Sequence, residues 1–119
     1  MKRILLAEDE DVLRMLIVDT LEDEEYEVDE AADGEEALHL IEQNEYDLLI
    51  LDYMMPVYTG MEVIEKVRET SKVKILMLSA KSQQYEQEKI LSIGANDFMA
   101  KPFSPLQLLD KVQEMLHED

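Results

Sequence analysis

The chain has 119 residues, 46% of them hydrophobic, with 29 Asp and Glu against 11 Lys and Arg for a formal net charge of −18. One domain over residues 1–119 is all this length requires, and the apolar content is too high for an acidic disordered tail. The acid excess argues against direct contact with nucleic acid or an anionic membrane; no apolar run approaches the ~20 residues of a membrane span, the about five apolar residues after Arg3 are too few for a signal peptide, and the absence of Cys excludes disulfides, so a soluble cytosolic domain is expected.

Ile4-Leu5-Leu6-Ala7 is a short continuous apolar run, the pattern of a strand covered on both faces, and it ends in Glu8-Asp9. Leu13, Leu16, Ile17, Thr20 and Leu21 then fall on one helical face. Tyr26-Glu27-Val28-Asp29 alternates as a half-exposed edge strand would. Asp33-Gly34-Glu35-Glu36 offers a capping side chain and first-turn acids to a helix whose apolar face is Ala37, Leu38 and Ile41.

Leu48-Leu49-Ile50-Leu51 is the second apolar run and ends in Asp52, followed by a helix marked by Ile64 and Val67. Ile75-Leu76-Met77-Leu78 is the third, ending in Ser79. The next helix opens Ser82-Gln83-Gln84-Tyr85-Glu86-Gln87-Glu88, has little to bury except Tyr85, and stops at Gly94. Such a weakly anchored element is available to move. Asp97-Phe98-Met99-Ala100 is a very short edge strand leading to Lys101. Ser104-Pro105-Leu106-Gln107 combines an N-cap serine, a proline at the first helical position and a glutamine after the cap, ahead of Leu108, Leu109, Val112, Met115 and Leu116.

Alternating strands and helices make a doubly wound α/β fold, a flavodoxin-like three-layer sandwich. Its five parallel strands take the order 2-1-3-4-5, with the three apolar runs central and the two poorer strands outside. In such sheets ligands bind beyond the carboxyl ends of the strands. Those ends carry Glu8, Asp9, Asp52, Ser79 and Lys101 here, and strands ~4.8 Å apart bring them together. Crowded carboxylates are relieved by a hard divalent cation, Mg²⁺ being the expected one. A carboxylate beside a cation, an ammonium and a hydroxyl can accept a phosphoryl group, and Asp52 on the central strand suits the nucleophile.

Other chemistry has little support. Three glycines in all leave no glycine-rich phosphate loop, and His39 and His117 lack partner ligands. The eight Met read mostly as core filler, except Met54 and Met55 in the loop after Asp52. Charge is unevenly placed: Met15 to Glu65 holds 17 acids and no Lys or Arg, whereas Lys66 to Asp119 balances eight bases with eight acids. The densest run, Asp19 to Glu30, reads as a solvated helix end and turn. A partner near the first helix is expected to be basic or salt-sensitive, and self-association through the last two helices less so.

Glu8-Asp9, Asp52-Tyr53-Met54-Met55-Pro56 with Gly60, Ser79-Ala80, and Gly94-Ala95-Asn96-Asp97-Phe98-Met99-Ala100-Lys101-Pro102-Phe103 together resemble the receiver domains of two-component response regulators, over essentially the whole chain. The resemblance implies a signalling switch that takes a phosphoryl group on Asp52 from a phosphohistidine of a sensor histidine kinase or histidine phosphotransfer protein. It implies Mg²⁺ held by Asp9, Asp52 and the backbone carbonyl of Met54, with Glu8 at or near the metal. Lys101 and Ser79 would act on the phosphoryl group. Ser79 and Phe98 would switch the face made by the fourth helix, fifth strand and fifth helix. Such a domain catalyses only its own phosphorylation and dephosphorylation, and works as a monomer or a phosphorylation-promoted homodimer. A cis Lys101-Pro102 bond is a further implication.

Glu8 stands where aspartate is more usual, Ser79 where threonine is frequent, and Phe98 where tyrosine is frequent. None removes the phosphoacceptor chemistry. The alternatives are the receiver piece of a DNA-binding regulator, or a pseudo-receiver that binds partners without using the site.

Overall fold

A computed structural model of the chain describes residues 1–80 and 83–117. Along the chain run β1 (Arg3–Ala7), α1 (Asp11–Glu22), β2 (Glu27–Ala31), α2 (Gly34–Gln43), β3 (Leu48–Asp52), α3 (Gly60–Arg68), β4 (Lys74–Ser79), α4 (Gln84–Ile93), β5 (Asp97–Ala100) and α5 (Pro105–Leu116). The strands form one parallel sheet in the expected order β2-β1-β3-β4-β5.

Both faces of the sheet are covered, which is why its central strands read as unbroken apolar runs. Leu5, Ala7, Leu49, Leu51, Ile75 and Met77 point to the side of α2, α3 and α4. Their neighbours Ile4, Leu6, Leu48, Ile50, Leu76 and Leu78 point to the side of α1 and α5. The chain runs one way from β1 to β2 and the other way from β2 through β5, so crossovers of one hand place α1 opposite α2, α3 and α4. Each fully buried Leu or Ile contributes ~1.5–3 kcal/mol.

Helix ends follow local chemistry. The Asp33 side chain accepts from the Glu36 N–H at 2.8 Å at the start of α2. Ser104 and Gln107 form a reciprocal box at the start of α5, with Pro105 in the first turn. A second box, Thr59 with Glu62 at the start of α3, was not among the sequence expectations. Gly94 ends α4 with φ of 128°, a conformation that side chains avoid. Arg68 donates to its carbonyl from Nε at 3.0 Å and Nη2 at 2.8 Å.

Three details differ from the sequence reading. The inward stripe of α1 is Ile17, Val18 and Leu21, while Leu16 is 46% exposed. Leu13 packs against the core as expected, and Arg14 beside it, one turn before Ile17 and Val18, puts a half-buried base on the same side of the helix. Tyr85 is not the anchor of α4; it is 66% exposed, and Ile90 near the other end is the buried residue. Met55 belongs to the core while Met1, Met15 and Met54 are exposed. Ser82, read as part of the start of α4, lies outside the described residues.

Candidate functional site

The carboxyl ends of β1, β3 and β4 and the residue after β5 meet at one edge of the sheet. Glu8 follows β1 and is 0% exposed, Asp52 closes β3 at 5%, and Ser79 closes β4 at 1%. Polar side chains are buried this deeply in an apolar sheet only with compensation. Lys101 supplies part of it: its Nζ lies 3.0 Å from Glu8 Oε2, 3.1 Å from Asp52 Oδ1 and 3.9 Å from Glu10 Oε2.

The backbone holds these groups in register. The Lys101 N–H donates to the Ser79 carbonyl at 2.8 Å, and the Tyr53 N–H donates to the Leu78 carbonyl at 2.8 Å. Lys101–Pro102 is cis. The Gly60 N–H donates to the Tyr53 carbonyl at 3.0 Å. A Cβ on Gly60 would run into the Asp52 carbonyl oxygen and lie 2.9 Å from the Met77 sulfur, so the loop after Asp52 needs glycine to close this tightly. Met54 sits in that loop with its side chain exposed.

One ammonium does not balance the acids. Asp9 is exposed, and one carboxylate oxygen from each of Glu8, Asp9 and Asp52 lies within 4.8 Å of the others. Burial first, and then the charge of Glu8, push the Asp52 carboxyl up to about 7, against the opposing pull of Lys101. Burial alone would lower the Lys101 ammonium, but its hydrogen bond with Glu8 and the charge of Asp52 outweigh that and hold it above its ordinary value. An all-oxygen, multiply anionic donor set matches a hard divalent cation, whose octahedral ligands sit ~3–4 Å from one another. The three carboxylates are close to that spacing already.

Glu8, Asp9, Asp52 and Lys101 therefore lie together, with Ser79 at the neighbouring strand end. Phe98 is set apart from them: it lies in β5 opposite Met77, half-buried against the core on the α2, α3 and α4 side. The sequence reading missed two residues that shape the site. Arg14 Nη1 donates to the Glu8 carbonyl at 2.7 Å and pairs with Asp11 at 2.8 Å and Glu30 at 3.3 Å, pinning the acidic loop. The signal was present, since Arg14 is the first base after the run Glu8 to Asp11. Glu86 of α4 lies 3.5 Å from the Tyr53 hydroxyl, which joins the site loop to α4. Nothing local in the sequence announces that contact. His39 and His117 are exposed, and among the described residues no helix is long and apolar enough to cross a membrane.

Known proteins resemble the chain in both sequence and fold. The transcriptional regulatory protein SrrA of Staphylococcus aureus is 38% identical over 113 residues, a stretch that covers 95% of this chain and 47% of SrrA, so the chain spans about half the length of that relative. The chemotaxis response regulator CheY4 of Vibrio cholerae superposes with a TM-score of 0.93 at 36% identity, covering 98% of this chain and 99% of that one. The response regulator TrrA of Thermotoga maritima, solved in complex with Mg²⁺ and BeF, superposes with a TM-score of 0.86 at 38% identity over 98% of this chain and 100% of that one. The family model for the response regulator receiver domain matches residues 4–113. With the match running from the first strand into the last helix, this chain belongs to the response regulator receiver domains, the signalling domains of two-component systems.

Proposed function

We propose that residues 1–119 form a single cytoplasmic receiver domain that accepts a phosphoryl group on Asp52 from a phosphohistidine of a sensor histidine kinase or histidine phosphotransfer protein. The observation that carries this reading is the convergence of Glu8, Asp9 and Asp52 within 4.8 Å, with Lys101 3.1 Å from Asp52. In the transfer an Asp52 carboxylate oxygen forms the bond to phosphorus as the P–N bond of the phosphohistidine breaks. Asp9, Asp52 and the Met54 carbonyl, with Glu8 at or near the metal, would hold Mg²⁺, which supplies charge neutralisation on the transferring oxygens.

Each remaining group has a task. Lys101, already held charged by its acidic neighbours, shifts from bridging Glu8 and Asp52 to contacting a phosphoryl oxygen. Ser79 donates its hydroxyl to another. Its turn toward the phosphoryl group lets Phe98 rotate inward and alters the face of α4, β5 and α5, where output and phosphorylation-promoted dimerisation would form. Catalysis is confined to the domain's own phosphorylation and dephosphorylation.

A second reading is favoured by SrrA, a transcriptional regulator about twice the length matched here. In that reading this receiver controls a DNA-binding partner domain and makes no nucleic-acid contact itself.

Amide spectra recorded with Mg²⁺ and beryllofluoride test the main reading. Wild type should show saturable Mg²⁺ binding and shifts that reach β5, and Asp52→Asn should show no beryllofluoride response. A responsive Asp52→Asn protein, or wild type without saturable Mg²⁺ binding, would leave only a pseudo-receiver.

A further inference from the structure

Along α2 and α3, from the amino ends of the strands at Arg3, Glu27 and Asp47 to Glu35 and Tyr58, runs an open groove of about 1320 Å³. Half-buried Leu38 and Ile41 contribute apolar surface to it above the buried Leu49 and Val67, and Tyr46 and Tyr58 contribute aromatic surface. Glu27, Glu35, Glu42, Glu45, Asp47 and Glu69 also line it, all of them exposed. His39 and the Met1 amino terminus also line the groove, as do Arg3 and Lys66, which are both engaged. Arg3 pairs with Asp29 at 2.9 Å, and the Lys66 ammonium lies 5.3 Å from the centre of the Tyr58 ring.

We infer that this groove docks a basic amphipathic helix of a partner protein, through apolar side chains on the groove floor and Lys or Arg side chains against its acidic rim. Charge complementarity selects that occupant. A second copy of this chain, at a net charge of −18, would bring acid against acid. A nucleic acid or anionic lipid surface would be repelled in the same way. A bare cation would leave the apolar floor wet, whereas a helix laid between two helices covers it. The floor gives the contact its area, and the rim gives it orientation and a fast, salt-dependent approach. Because the groove's lining shares no residue with the cluster of Glu8, Asp9, Asp52, Ser79 and Lys101, the inference stands independently of the phosphoacceptor reading.

The probe is a capped helical peptide of Lys and Leu, with a Lys and Ser peptide and a Glu and Leu peptide as comparators. Affinity is measured by titration calorimetry, and the site is mapped by amide shifts, without Mg²⁺ and on both wild type and Asp52→Asn. The Lys and Leu peptide should shift residues of α2, α3 and the loop that carries Tyr46. Glu42→Lys with Glu69→Lys should weaken it about tenfold or more. Glu22→Lys with Glu24→Lys makes the same charge change away from the groove and should alter affinity less than about twofold. Equal weakening by the two double variants would reduce the effect to undirected attraction and overturn the inference. A shift map centred on α1 or α4, or equal affinity for the Lys and Ser peptide, would overturn it as well.

Discussion

The two edges of the sheet each gather acids around one base, and they do so to different ends. At the amino edge, Arg3 Nη2 lies 2.9 Å from Asp29 Oδ2 and 3.3 Å from Asn44, its Nε is 3.6 Å from Glu27, and its guanidinium stands 5.2 Å from the centre of the Tyr46 ring. These side chains are part-exposed, so water screens what the pairing leaves over. At the carboxyl edge, Lys101 faces Glu8 and Asp52, which are buried, with Asp9 nearby. At the amino edge Arg3 makes a part-exposed structural clasp within a solvated acidic rim. The other edge keeps an unsettled excess of negative charge, and an unsettled charge can bind a cation and do chemistry.

Removing the base from each edge separates the two most strongly. Lys101→Met leaves Glu8 and Asp52 buried without their counter-charge and should cost ~3 kcal/mol in metal-free protein near neutral pH. Mg²⁺ or mild acid should recover part of the loss, since either relieves the carboxylates. Arg3→Met should cost ~1 kcal/mol, because its partners can turn to water. Urea unfolding of both variants with and without Mg²⁺ measures this. Equal losses, or a Lys101→Met loss that neither Mg²⁺ nor acid reduces, would break the comparison.

The nucleophile itself should weigh against the fold. Asp52 has its carboxyl raised from 3.8 to about 7 by burial and then by Glu8, so the folded protein holds that proton more tightly than the unfolded chain. The contribution of Asp52 to stability is complete below about pH 4 and is lost as pH rises through about 7. Asn at this position carries no such dependence. Asp52→Asn should therefore be more stable than metal-free wild type by ~1–3 kcal/mol at about pH 8, and the gap should shrink toward about pH 4. The same variant loses the proposed beryllofluoride response, a case of stability set against function. A gap of constant size across this range would remove the electrostatic account.

Much of this contrast was legible in the amino-acid sequence, and the reason is local. A strand buried on both faces shows as an unbroken apolar run, and the first polar residue after it marks the sheet edge; Glu8, Asp52 and Ser79 were found in that way. Caps were legible where the bonded residues lie close in the chain, as at Asp33 and Ser104. The Thr59 and Glu62 box has equally local signals, a threonine three residues ahead of a glutamate. What stayed hidden depends on distant packing. Arg14 reaches the Glu8 carbonyl and Glu30, partners 6 and 16 residues away in the chain that the helical pattern of α1 does not announce. Tyr85 is exposed while its neighbour Glu86 is the residue of that turn that meets Tyr53, and the clasp of Arg3, Asp29 and Tyr46 joins three separate stretches of chain.

The smallest expected effect tests that clasp. The Tyr46 hydroxyl donates to Asp29 Oδ2 at 2.7 Å, the same oxygen that Arg3 pairs with at 2.9 Å. Burial first, and then the hydrogen bond and charge of Asp29, raise the phenol above its ordinary 10.0. Tyr46→Phe removes one donor to a carboxylate that keeps its arginine, so it should cost ~1 kcal/mol at neutral pH. The folded protein resists ionising this phenol while the unfolded chain does not. The stability the phenol confers is thus present below about pH 10 and lost as pH rises beyond it. Urea midpoints of wild type and Tyr46→Phe should accordingly converge above about pH 10. Parallel curves through that range would mean that the hydroxyl serves as packing alone, with no charge of Asp29 felt at Tyr46.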